Sequence, residues 1–266
     1  MERSYGVIKE TKNKSAIDAL IEQINIKGYA ILDAGFDSRN LKKIKNTLKE
    51  DTKKYQSEYS LNFLKNIDEH NTLRAPIIRN KIYFDICLNK HLIKLLDKLF
   101  VGKYILNQQN GIFNPANEDY NQAYWHRDLP YQHFTSSMPL SINAIFCVDD
   151  FTKINGSTWV IPGSHLFDNF PSNEYINNNK IQIEAKSGQY IVINSMVYHS
   201  GGFNKSNNTR RGINNVYTIP FIKQQIEFSK NDFNYKLSKK ESDLLGINLS
   251  TPKSIESYLN NRPKKK

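Results

Sequence analysis

Cysteine is scarce in this sequence. Cys87 and Cys147 are the only two, and neither belongs to a Cys-x-x-Cys pair. This count excludes a disulfide framework, a zinc site of paired cysteines and a thioredoxin-like redox motif. Both residues lie in apolar runs, so we expect reduced, buried thiols.

Long apolar segments are also missing. No run approaches the roughly 20 residues that a membrane-spanning helix needs. The first residues, from Met1 to Gly6, lack the basic start and the apolar stretch of a signal peptide. We therefore expect a cytoplasmic protein that does not associate with membranes.

The chain is strongly basic, but its Lys and Arg residues do not form a pattern typical of nucleic-acid binding. The net charge is +11, and the Lys residues are scattered through amphipathic helices and the tail. No zinc-finger, helix-turn-helix or RNA-recognition motif accompanies them. We interpret the charge as solvated surface and predict no nucleic-acid partner; a positive field that favours an anionic substrate is the alternative.

The hydrophobic pattern changes from helical to strand-like near residue 104. A length of 266 residues suits one large domain, which we predict to span 1–266. Within it we expect helices and a first strand over 1–103, a strand-rich core over 104–222 and a helical extension over 223–266. The strands predicted in the core are 104–113, 123–126, 140–148, 159–161, 181–185, 190–197 and 213–221. Many short strands with a helical layer outside one sheet indicate a sandwich or barrel.

Three residues in this core form a candidate metal site. His126 and Asp128 are two positions apart, so on a strand both side chains face one side, and His199 follows the later apolar run. Two imidazoles and one carboxylate are the ligand set of non-haem iron(II) oxygenases, which leaves one metal face open. Alone, a His-x-Asp tripeptide is weak evidence, and a zinc hydrolase with a metal-bound water uses the same groups.

Downstream of His199, a polar loop ends in two arginines, Arg210 and Arg211. A guanidinium at this position can bind a carboxylate through two hydrogen bonds. Neighbouring strand residues face opposite sides, so only one of the two can point at the metal site. The alternative is a pair of surface charges at a strand edge.

Taken in order, four motifs resemble the phytanoyl-CoA dioxygenase family of iron(II)- and 2-oxoglutarate-dependent oxygenases. They are Trp-His-Arg-Asp-Leu at 125–129, Asp-Asp at 149–150 leading to Asn-Gly-Ser at 155–157, Ile-Pro-Gly-Ser-His at 161–165, and Gly-Gln-Tyr at 188–190 followed by His-Ser-Gly-Gly at 199–202 with the two arginines. The resemblance implies a mainly β fold, a double-stranded β-helix or cupin-like jelly roll, with an N-terminal helical layer. It also implies that His126, Asp128 and His199 bind Fe(II).

The same resemblance bears on the cosubstrate. It implies that an Arg eleven positions after the distal His binds 2-oxoglutarate, which designates Arg210, with Arg211 as the fallback. The chain departs from the family in having Arg127 where many members have Gln, and Ile145 where some have Trp. Further 2-oxoglutarate contacts are candidates by strand position only: Gln108, Asn110 and Asn143.

These observations predict a dioxygenase that consumes 2-oxoglutarate and O2, releases succinate and CO2, and hydroxylates an unactivated C–H bond of a small molecule. Desaturation and cyclisation share the oxidant and remain open, whereas the carboxylate of Asp128 argues against halogenation. A non-catalytic metal-binding or sensory jelly roll and the zinc hydrolase are the alternatives.

The substrate is expected to be a small polar metabolite or biosynthetic intermediate bound by a monomer or homodimer. Its candidate contacts are mixed aromatic and polar side chains near the metal ligands: Tyr124, Tyr131, His133, Phe134, Phe203 and Asn215.

Overall fold

A computed structural model describes residues 5–129, 134–249 and 251–263. Its helices are α1 Ala16–Lys27, α2 Ser38–Glu58, α3 Leu61–Asn66, α4 Pro76–Arg79, α5 Ile82–Cys87, α6 Lys90–Leu99, α7 Asn173–Asn179, α8 Lys239–Leu244 and α9 Ile255–Asn260. Its strands are β1 Tyr29–Asp33, β2 Thr72–Arg74, β3 Ile105–Asn114, β4 Ser141–Cys147, β5 Thr158–Val160, β6 Ile181–Gln182, β7 Gln189–Asn194, β8 His199–Gly201 and β9 Arg210–Thr218.

The strands form two antiparallel sheets. The larger sheet has the order β1-β7-β4-β9-β3-β2, and the smaller sheet has the order β6-β5-β8. They pack face to face across a cluster that joins Ile145 and Ile191 of the large sheet to Val160 of the small one. The expectation of a mainly β jelly roll with helices is thus confirmed, although the two sheets do not close into a continuous barrel.

Side-chain alternation along the large sheet produces a hydrophobic core on each of its faces. In β4, Ile142 and Phe146 point into the core shared with the helices, whereas Ile145 and Cys147 point toward the small sheet. Strands β4 and β7 are therefore apolar on both faces, because helices cover one face and the small sheet covers the other. The inner face of strands β3 and β9, which lie farther along the same sheet, borders the candidate site.

The N-terminal helices form the predicted layer on the outer face. Asp37 caps α2 by accepting from the Asn40 backbone N–H at 2.7 Å, and Ile44 and Leu48 bury the apolar stripe of that helix. Gly28 ends α1 with a positive φ of 84°, and a Cβ there would lie 2.1 Å from Val197. A residue with a side chain would fit neither the backbone conformation nor the space.

The short elements differ from the prediction. The strand expected over 123–126 is wrong: a 3-10 turn spans Asn121–Ala123, and only His126 forms a β-bridge. The strand expected over 190–197 ends at Asn194, whose side chain accepts from the backbone N–H of Met196 and closes a turn. The strand expected over 213–221 instead begins at Arg210, and β2 and β8 were not predicted.

The two cysteines match the expectation of buried thiols. Cys87 and Cys147 are both free and buried, and burial raises the pKa of each thiol. Within the described ranges, no helix has the length and apolar character that crossing a bilayer requires.

Candidate metal centre

Ligand atoms of His126, Asp128 and His199 all lie within 4.8 Å of one another. The Nε2 atom of His126 is 3.5 Å from Oδ1 of Asp128, and the Nε2 atom of His199 is 3.8 Å from Oδ2. The three residues that the sequence singled out are therefore gathered at one point. Two imidazole nitrogens and one carboxylate converge there, as binding of one metal ion requires.

Backbone pairing fixes the two ligand segments against each other. His126 and His199 form an isolated antiparallel bridge whose two N–H···O bonds are both 3.0 Å long. The Asp128 backbone N–H donates to the Ser195 carbonyl at 3.1 Å. The segment from His126 to Asp128 thus takes its position from β8 and the turn after β7, although it is not itself a strand.

The two imidazoles are oriented by backbone carbonyls. Nδ1 of His126 lies 2.7 Å from the Tyr124 carbonyl, and Nδ1 of His199 lies 2.9 Å from the Val197 carbonyl. A carbonyl only accepts, so each Nδ1 carries the proton and each Nε2 keeps a lone pair for a metal. Burial, reinforced by the neighbouring His126, lowers the pKa of His199, which favours the neutral, metal-binding form.

Amide groups hold the carboxylate of Asp128. Asn143 donates to Oδ2 and in turn accepts from the Ser195 hydroxyl at 2.6 Å, while Asn214 approaches the same oxygen at 3.5 Å. Burial alone would raise the pKa of Asp128, but its interactions with the two neighbouring imidazoles and the hydrogen bond from Asn143 hold it well below its usual range. The carboxyl group is ionised at neutral pH, so all three donors fit a divalent metal.

Arg210 lies inside the jelly roll, where its charge has no ionic partner among the described residues. The residue is 3% exposed, its guanidinium carbon lies 3.9 Å from the centroid of the Phe151 ring, and Nη2 donates to the Tyr120 hydroxyl at 3.2 Å. Its Nε is buried without a hydrogen-bond partner, and no carboxylate of a described residue forms an ion pair with it. An uncompensated buried charge is costly, so the site fits an anionic ligand.

Arg211 faces the opposite side of β9. Its Nε and Nη2 atoms each donate to Asp149 at 2.8 Å, and its backbone N–H donates to the same carboxylate at 3.0 Å. The fallback 2-oxoglutarate contact is therefore already paired with a protein carboxylate and points away from the metal ligands. Strand alternation accounts for the difference between the two arginines.

Arg127, between the two ligands, points away from them. Its guanidinium stacks 4.0 Å from the centroid of the Tyr198 ring and donates to the carbonyls of Ser164 at 2.9 Å and Asp168 at 3.3 Å. His165 bonds through Nε2 to the Asn25 carbonyl at 3.1 Å and takes no part in the triad. Arg127 therefore attaches the ligand segment to the loop after β5.

A cavity of about 310 Å³ opens beside the triad. Gln108, Asn110 and Tyr124 line it, whereas Asn143 lies against Asp128. Phe134 and Phe203 are exposed and are not among the described lining residues of this cavity. Two other predicted substrate contacts, Tyr131 and His133, lie outside the described residues.

Asn215 does not face the cavity, and that prediction is wrong. Its side chain is fully buried on the helical side of the sheet, where it donates to the Ala144 carbonyl at 2.9 Å and accepts from Gln109 at 2.8 Å. Its neighbour Asn214 lines the cavity instead. Counting by twos from Arg210 along β9 reaches Asn214, so the sequence contained the signal. Tyr120, which comes from a loop, had no such signal.

Comparison with known proteins agrees with this geometry. A family model described as phytanoyl-CoA dioxygenase (PhyH) matches residues 24–212. "Uncharacterized protein Rv1501" of Mycobacterium tuberculosis is 26% identical over 224 residues, covering 82% of this chain and 81% of that protein. The "Iron/alpha-ketoglutarate-dependent dioxygenase ausO" of Aspergillus calidoustus is 33% identical over 92 residues, covering 34% of this chain and 30% of that one.

Solved structures share the fold at low sequence identity. EctD from S. alaskensis, crystallised with 2-oxoglutarate and 5-hydroxyectoine, has a TM-score of 0.63 at 17% identity, covering 80% of this chain and 79% of that one. HygX from Streptomyces hygroscopicus, crystallised with nickel, 2-oxoglutarate and hygromycin B, has a TM-score of 0.60 at 14% identity, covering 79% and 90%.

Proposed function

This chain belongs to the phytanoyl-CoA dioxygenase family of Fe(II)- and 2-oxoglutarate-dependent oxygenases, and on that premise we propose that it hydroxylates an unactivated C–H bond of a small-molecule metabolite. We also propose that residues 1–266 act as one oxygenase domain. Phe228 and Leu244 of the C-terminal extension share one core with Ile24 of the N-terminal helices, which supports this proposal.

We assign the metal to His126, Asp128 and His199, and the distal carboxylate of 2-oxoglutarate to Arg210. The bound iron supplies the redox chemistry that activates O2 while 2-oxoglutarate is converted to succinate and CO2. The protein holds and orients the reactants. Asn143 keeps the carboxylate of Asp128 in place, and the two carbonyl-bound Nδ1 atoms keep both imidazoles aimed at one point.

The buried guanidinium of Arg210 is the observation that carries the proposal. A zinc hydrolase or a structural metal site has no need of an unpaired cation in the same interior, whereas a dicarboxylate cosubstrate supplies its counter-charge. Apolar side chains surround this part of the site: Phe151 stacks on the guanidinium, and Ile145 and Cys147 belong to the same cluster. They exclude water and strengthen the pairing of opposite charges.

The test measures metal retention and 2-oxoglutarate turnover together. Wild-type protein is expected to bind Fe(II), to develop the visible absorption of an iron–2-oxoglutarate complex without oxygen, and to form succinate only when oxygen is admitted. Asp128→Ala removes the only anionic ligand and should abolish iron retention, whereas Asp150→Ala, on an exposed carboxylate paired with Lys186, should retain it.

Three outcomes would contradict the proposal. The first is tight retention of zinc with cleavage of an ester or amide, and no succinate from any substrate. The second is iron binding without any response to 2-oxoglutarate, which would favour the non-catalytic alternative. The third is equal loss of iron from the Asp128 and Asp150 variants.

A further inference from the structure

Carboxamide side chains dominate the cavity beside the triad. Of its thirteen described lining residues, six are Asn or Gln, and only Ile112 and the ring of Tyr124 are markedly apolar. The six carboxamides are Gln108, Asn110, Asn121, Gln122, Asn214 and Gln225. Ligand pockets are usually lined mainly by apolar and aromatic groups, so this lining is informative about the ligand.

Three of these polar residues come from neighbouring strands in register. Arg74 of β2 pairs with Asn110 of β3, which pairs with Asn214 of β9. The row then becomes apolar, because Asn214 pairs with Ile145 of β4. Gln108 lies two residues from Asn110 and therefore on the same face. A polar half of the sheet thus borders the cavity, next to an apolar half on the side of Arg210.

Two of the carboxamides, Asn214 and Gln108, have unused hydrogen-bonding capacity. Oδ1 of Asn214 is buried with no partner among the described residues, although its Nδ2 approaches Asp128 at 3.5 Å. The side chains of Gln108 and Asn110 contact each other at 2.8 Å, which leaves the amino group of Gln108 as a donor. A group that both donates and accepts matches the hydroxyl group, which has the same dual character.

The polar row carries little net charge. Arg74, its one cation, donates from Nε to Glu69 at 2.7 Å and makes a second contact to the same carboxylate through Nη2. This pairing through two atoms neutralises the guanidinium before any ligand binds. The row therefore offers hydrogen bonds rather than a free charge.

We propose that the cavity binds a neutral, hydroxyl-rich molecule, a polyol or glycoside no larger than about a disaccharide, as the substrate that is oxidised beside the metal. This inference rests on the proposed function. A cavity of about 310 Å³ is at the small end of ligand pockets. A site built to hydrogen-bond hydroxyl groups disfavours an alkyl chain, because amides such as the buried Asn110 would then lose polar partners.

Ligand-observed NMR tests the proposal directly. Full-length protein is loaded with Fe(II) and 2-oxoglutarate without oxygen, and the visible absorption of that complex is recorded first. Saturation transfer is then measured to neutral saccharides and cyclitols, to decanol as an alkyl probe, and to glucose 6-phosphate beside glucose. Gln108→Met replaces the carboxamide with an apolar side chain of similar length. Gln23→Met makes the same change on the exposed face of α1 and is the matched control.

We expect transfer to at least one neutral hydroxyl-rich probe, none to decanol, and about tenfold weaker binding in Gln108→Met but not in Gln23→Met. Preferred binding of decanol, no transfer to any neutral probe, or equal binding by both variants overturns the proposal. Glucose 6-phosphate that binds at least tenfold tighter than glucose, with the gain lost in Arg74→Gln, shows an anionic substrate instead. Absence of the absorption band contradicts the proposed function itself. If the band is present and no neutral probe binds, only the proposed substrate class fails.

Discussion

Replacing Arg210 by Met is expected to have opposite effects on the free protein and on its complex with 2-oxoglutarate. In the free protein the guanidinium is buried with no counter-charge from the part of the chain that the structure describes, which costs several kcal/mol. The Phe151 ring and the Tyr120 hydroxyl offset part of that cost, by about 0.5–2 and about 1.5–3 kcal/mol. Met fills similar space without a charge, so we expect the unfolding temperature of the free variant to equal or exceed that of wild type.

In the complex the balance reverses. Removing one member of a buried, hydrogen-bonded charge pair costs about 2–5 kcal/mol. That range corresponds to a 2-oxoglutarate affinity about 30-fold to several thousand-fold weaker, since about 1.4 kcal/mol is a factor of ten. Fe(II) affinity should stay the same, because none of the three metal ligands contacts the guanidinium through a hydrogen bond.

Two measurements check this prediction. An anaerobic titration of 2-oxoglutarate into the Fe(II)-loaded protein gives the affinity, and calorimetry without 2-oxoglutarate gives the unfolding temperature. Arg211→Met is the matched control, because that side chain is paired with Asp149 on the other face of β9. An unchanged affinity in Arg210→Met, or a large loss in Arg211→Met alone, would refute the reasoning.

Three further predictions follow from individual contacts. Tyr120→Phe removes one hydrogen bond to Arg210 and should weaken 2-oxoglutarate binding about fivefold in the same titration, while equal affinity would exclude a role for the hydroxyl. Asn215→Leu should lower the free energy of unfolding in urea by about 1–3 kcal/mol and leave 2-oxoglutarate binding unchanged; weakened binding would return Asn215 to the site. Arg211→Gln should lower stability by about 1 kcal/mol at neutral pH. Burial opposes the shift, but the hydrogen bonds from Arg211 hold the pKa of Asp149 below its ordinary value. That stabilisation is present above about pH 3.9 and is lost as the pH falls through the lower folded pKa, so the two urea curves should converge in acid.

Long periodic elements were predictable, whereas two of the three-residue strands were not. The apolar periodicity of helix α6 identifies both the type of element and its buried face, and the apolar run of β4 identifies a strand that is buried on both faces. Strands β2 and β8 have three residues each, too few for any period to appear. The residues around His126 look like a strand because they contain aromatic residues, yet the backbone pairs only through one bridge.

The site divides in the same way. His126 and Asp128 are near neighbours in the sequence, and Arg210 and Arg211 are adjacent on one strand and therefore face opposite sides. Local patterns were sufficient to predict these residues. Tyr120 reaches Arg210 from a loop across 90 positions, and no sequence period encodes such a contact. The separation of a polar from an apolar half of the sheet depends on strand order, which the sequence alone does not specify.

The two cores of the large sheet have a consequence for laboratory evolution of this enzyme. The helical core on the outer face contributes most of the buried apolar side chains, while the cavity beside the triad lies on the inner face near the edge strand β2 and its neighbour β3. Mutational libraries confined to the cavity lining leave unchanged the residues of the outer core, which supply most of the stability of the fold. Substrate range should therefore be open to change by substitution at the lining, with the outer core kept intact as a reserve against destabilising variants.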